Sequence, residues 1–129
     1  MSYYFSTTLN APFDEAVTKV TEALEGEGFG VLTTIDVKAT LKKKIDVDFR
    51  PYTILGACNP GFAHKALLAE DKIGTMLPCN VVVQDAGDGR TEVTAVDPAA
   101  SMSAVKNEQL KSIAEDVRSR LKKVIDELA

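Results

Sequence analysis

Apolar residues first recur at helical spacing between Phe13 and Leu24, where Phe13, Ala16, Val17, Val20 and Leu24 fall every three or four positions. Such a stripe predicts an amphipathic helix packed on a sheet. Pro12 suits its first turn, where a missing N–H costs no hydrogen bond, and Asp14 and Glu15 complement the positive end of the helix dipole. Gly26 or Gly28 is placed to end it in a left-handed cap. The aromatic and β-branched run 3–9 (YYFSTTL) predicts a strand before this helix, and 29–37 (FGVLTTIDV) a strand after it. Residues 41–49 (LKKKIDVDF) leave two readings open, a short exposed helix or a turn. The run 52–58 (YTILGAC) is apolar enough for a central strand.

Asn59-Pro60 has the chemistry of a helix start. Proline keeps the residue before it out of the α region, and asparagine is a strong N-cap, so a helix is expected from Pro60 to about Glu70. Residues 79–86 and 90–97 predict a hairpin around Gly87-Asp88-Gly89, and Asp97-Pro98 reads as the strand's end. In the last segment Leu110, Ile113, Val117, Leu121, Val124 and Leu128 are spaced 3, 4, 4, 3 and 4 apart. A helix over 104–128 would be about 37 Å long. The order β-α-β-β-α-β-β-α, with 41–49 left open, predicts one α+β domain over residues 1–129. Its sheet is mostly antiparallel, with four to five strands and helices on one face.

Composition narrows the function. The 129 residues carry 15 Lys and Arg against 19 Asp and Glu, a net charge of −4, which argues against non-specific nucleic-acid binding. No apolar run approaches the roughly 20 residues of a membrane span, and the N-terminus lacks the pattern of a signal peptide. Two distant cysteines do not form a disulfide framework, so a cytoplasmic setting is expected. Gly26, Gly28 and Gly30 follow a helix where a dinucleotide loop precedes one. Walker A, GxSxG and HExxH patterns are absent, and one histidine excludes sites needing two per chain. Lys42-Lys43-Lys44 is followed at Asp46 and Asp48 by acids and reads as a solvated surface.

Candidate chemistry lies between Leu55 and Val83. Cys58 precedes the expected helix start, where the dipole favours a thiolate. His64 lies one turn above Pro60, and Cys79 opens the next strand. Cys58, His64 and Cys79 are a candidate metal set, for a transition metal such as zinc, with a fourth position for water, a carboxylate or a partner chain. Asn59 and Asn80, each following a cysteine, complete a candidate ligand site. The same groups suit a thiol nucleophile with a base, or a redox pair. The plain alternatives are buried cysteines, a helix-flank histidine and asparagines that cap or turn the chain. Asp97 carries little weight as an acidic ligand.

The blocks LGACNPGFAHKAL (55–67) and LPCNVVV (77–83) resemble the family called "domain of unknown function 302", and the similarity extends over nearly the whole chain. The resemblance implies a small α+β fold and a homodimer, and it implies no activity. Cys58, Asn59, Pro60, His64, Pro78, Cys79 and Asn80 occupy its motif positions. The leading expectation is a ligand- or metal-binding module with a Cys/His site. A thiol-dependent enzyme and a structural homodimer without a small-molecule site are the alternatives.

Overall fold

A computed structural model describes residues 2–129. Strands β1 (Tyr4–Leu9), β2 (Gly30–Asp36), β3 (Tyr52–Cys58), β4 (Cys79–Gly87) and β5 (Arg90–Val96) form one antiparallel sheet in the order β1-β5-β4-β3-β2. Helices α1 (Phe13–Gly26) and α5 (Glu108–Leu128) pack on the same face. There Leu55, Ala57, Val81, Val83, Val93 and Ala95 meet Val20, Leu24, Leu121 and Val124 in the main core. The strand residues alternate because successive side chains point to opposite faces. Burial on this scale, at roughly 25 cal/mol per Å² of apolar surface, is the main favourable contribution to folding.

Helix α1 ends where Gly28 takes a positive φ of 86°. Its N–H bonds to the Glu25 carbonyl at 3.0 Å and the Phe29 N–H to Leu24 at 2.9 Å, the paired bonds of a Schellman motif. This turn drives Phe29 into the core beside Leu24 and starts β2. Asp36 closes β2 and accepts a hydrogen bond from the Ala39 N–H at 2.9 Å, capping a helix α2 (Val37–Ile45). The lysine-rich segment is therefore helical, and it starts earlier than residue 41 because aspartate at the strand end is a good N-cap.

Helix α3 (Pro60–Ala69) and a 3-10 helix over Asp71–Met76 connect β3 to β4. The expected helix over 104–128 is shorter at its start. Asn107 accepts from the N–H groups of Gln109 (3.1 Å) and Leu110 (3.2 Å) and so sets the N-terminus of α5. Asp97 does more than end a strand: its carboxylate caps the short helix α4 (Pro98–Ser101). A second, smaller core of Ala66, Ile73, Met102, Leu110 and Ala114 joins α3, α4 and the first half of α5 beyond the end of the sheet. Among the described residues, no helix is long and apolar enough to cross a membrane.

Candidate functional site

The two cores do not close on each other. Between them lies a cavity of about 280 Å³, roofed by α3, floored by the ends of β3 and β4, and walled by α4 and α5. Phe29, Phe62, Ala63, Ala66, Leu77, Met102, Leu110, Ile113 and Ala114 line it, with Cys58, Asn59 and Cys79 at the strand ends. Alanines at 63, 66 and 114, where two helices face each other, leave space that larger side chains would fill. Among the described residues, no charged side chain lines the cavity. Its rim includes Leu32, which is 67% exposed, and Leu67, also exposed. Leu32 reaches the rim because the β2–β3 register shifts between Val31 and Thr33. A bulge of this kind re-aims the side chain it carries.

Of the five candidate ligand residues, the cavity gathers three. Ala57 pairs with Cys79 across β3 and β4, so Cys58 is next to that pair, and both cysteines are free thiols. Cys58 is half-buried, whereas Cys79 is 7% exposed. Burial first, and the neighbouring Cys58 second, push the Cys79 thiol up from 9.0 to about 11. Asn59 lies between them and α3, but it does not cap that helix as expected. Its amide donates to the Glu27 carbonyl at 3.4 Å and sits against Gly28, tying the end of α1 to the start of α3. The first-turn N–H groups of α3 are left without a side-chain acceptor.

His64 and Asn80 do not join the group. His64 is exposed and lies two residues from both Phe62 and Ala66. At about 100° per residue it faces away from the side of α3 that lines the cavity. Asn80 is exposed on β4, opposite Gly56. The expected zinc set of Cys58, His64 and Cys79 is therefore not assembled, and among the described residues no group of three or more His, Cys, Asp or Glu is placed to hold a metal ion. Sequence reasoning missed the apolar lining. The signal was present in PGFAHKALLA, where Phe62/Ala66 and Ala63/Leu67 make an apolar surface wider than the sheet alone requires.

The Cys79 thiol carries a pH dependence. The folded chain holds this proton up to about pH 11, and ordinary thiols lose it near 9.0, so the stability it contributes is complete below pH 9 and disappears as pH rises through 11. At about 1.4 kcal/mol per unit, the two units amount to on the order of 3 kcal/mol. Urea titrations across that window should show a flatter decline for Cys79→Ala than for the unaltered chain. Parallel curves would remove Cys79 as the cause.

Fold and site together define a small α+β protein with a five-stranded sheet covered on one side and an apolar cavity at the sheet's end. The family model described as "Domain of unknown function DUF302" matches residues 5–128, and the chain belongs to that family. The crystal structure of the uncharacterized conserved protein DUF302 from Bacillus stearothermophilus is similar along the full length of both chains, with 30% identity and a TM-score of 0.91. No functionally curated protein matches the sequence.

Proposed function

We propose that the protein binds a small, uncharged, apolar molecule in the cavity beneath α3. The observation that carries this reading is a space of about 280 Å³ without a charged wall residue. A cavity of roughly 150 Å³ already accommodates benzene, so this one suits a fused aromatic or a chain of about eight to ten carbons. Burying a charged group there would cost several kcal/mol or more, which selects against ions. Cys58 and Asn59 supply the polar end. Two free thiols suit a reducing setting such as the cytoplasm.

The probe 1-aminoanthracene tests the reading, because the chain has no tryptophan to compete with its fluorescence. Saturable enhancement is expected. Ala63→Phe, which projects a ring into the cavity, should weaken binding about tenfold or more, equivalent to at least ~1.4 kcal/mol. Absent saturation, or equal affinity in a folded Ala63→Phe protein, would overturn the reading.

A second copy of the chain is our proposal for what covers the sheet face turned away from α1 and α5. On that face Ile35, Ile54 and Val82 stand in one row across β2, β3 and β4, and Ile35 is 48% exposed. Five strands at about 4.8 Å and roughly 20 Å in length project ~500 Å². With side-chain relief, this approaches the ~800 Å² per partner of a standard interface. Light scattering should give twice the 13.9 kDa chain mass, reverting to one chain in Val82→Lys. A monomer at micromolar concentration would remove the proposal.

A further inference from the structure

Among the described residues, Cys58 is the one half-exposed nucleophile opening on the cavity, and the groups around it differ in kind from those lining the rest. Cys79 also lines the space, buried and without a hydrogen-bond partner among the described residues, and its thiol keeps its proton. Beside Cys58 are the N–H groups at the start of α3, which take no side-chain cap, donors suited to a carbonyl oxygen. Beyond them the walls are hydrocarbon as far as the Leu32 and Leu67 rim.

Building on the ligand-binding reading above, we infer that Cys58 is a covalent capture site for α,β-unsaturated aldehydes or ketones whose alkyl chain occupies the cavity. The sulfur electron pair forms an S–C bond to the β-carbon of the enal. The π pair of the C=C bond moves toward the carbonyl to give an enolate, whose oxygen accepts from the neighbouring amide donors. The α-carbon then takes the proton released by the thiol. No group leaves, and no oxidant or reductant is consumed. A soft thiol sulfur prefers this soft carbon, and the uncharged chain behind it matches walls that penalise charge. Cys79 is the internal control, since thiols react as thiolates and burial holds this one protonated.

The test treats the folded chain with crotonaldehyde, hexenal and nonenal in turn, with glutathione as the reference thiol, and follows adducts by intact mass and peptide mapping. The adduct should map to Cys58, and its rate relative to glutathione should rise about tenfold from crotonaldehyde to nonenal. Ala63→Phe, which fills the cavity, should lose the chain-length dependence. A rate ratio independent of chain length, or an adduct on Cys79, would overturn the inference. If 1-aminoanthracene still saturates the cavity in that case, the binding reading stands alone; if neither occurs, both fall together.

Discussion

Gly56→Ala should lower stability by about 3 kcal/mol, and Gly56→Val should prevent folding, as overpacking of a closed site commonly costs 1–3 kcal/mol per modest enlargement. Gly56 occupies the middle strand β3, opposite Thr33 on one side and Asn80 on the other. A methyl group there would lie 2.7 Å from the Pro78 ring and would overlap the Thr33 hydroxyl. Neither neighbour yields easily. Thr33 follows the bulge that sends Leu32 to the cavity rim, and Pro78 fixes the chain's entry into β4 just before Cys79. Urea midpoints measure the effect. Adding Thr33→Ala to Gly56→Ala should restore part of the loss, because it removes one of the two contacts. A Gly56→Ala protein as stable as the unaltered chain would show that strands β2 to β4 part with little resistance.

That same position illustrates what the sequence conceals. YTILGAC is readable as a strand from its composition, but the reason for glycine within it lies in Thr33 and Pro78, more than twenty residues away on either side. Local pattern found α1, β3, the β4–β5 hairpin and the register of α5, because each is set by spacing or turn chemistry within a short window. The same limit explains the misreadings. Asn59 has the side chain of a cap, yet Glu27 offers its amide a carbonyl that only the fold brings near. Asp97 before a proline looks like a strand's end, and it caps α4 because the chain turns back over the sheet.

At the candidate site, sequence order left open whether Cys58 and Cys79 meet, because that depends on β3 and β4 being neighbours in the register that pairs Ala57 with Cys79. His64, grouped with them as a candidate, stands exposed on α3. On a helix, one residue of phase is about 100°, and the apolar partners that orient α3, among them Leu110 and Ile113 of α5, lie some fifty residues further along the chain. An absence of side-chain volume is harder still to read. The cavity exists because Ala63, Ala66 and Ala114 converge, and each alanine alone is an ordinary helix former.

Asp97→Ala should cost about 3 kcal/mol, combining a lost helix cap with the loss of a mostly buried carboxylate's ion pair to a partly exposed arginine. The Asp97 side chain is 11% exposed and receives the Arg118 Nε at 3.1 Å, while its other oxygen accepts from the N–H groups of Ala99 (3.0 Å) and Ala100 (3.4 Å). Arg118 is more exposed, at 38%, and its guanidinium carbon is 5.1 Å from the Phe5 ring centroid, so it loses less when the carboxylate is removed. Asp97→Asn keeps the capping acceptor and should cost about half as much as Asp97→Ala. A double-mutant cycle with Arg118→Met should give a coupling of about 1 kcal/mol, reduced by solvent around the arginine. The consequence reaches the cavity, since α4 carries Pro98 and precedes Met102, both of which wall it. Asp97→Ala should therefore weaken 1-aminoanthracene binding severalfold under conditions where the protein remains folded, and Arg118→Met, which leaves the cap in place, should weaken it less. Equal probe affinity in both variants and the unaltered chain would mean that the cavity wall holds without its cap and that Asp97 acts on stability alone.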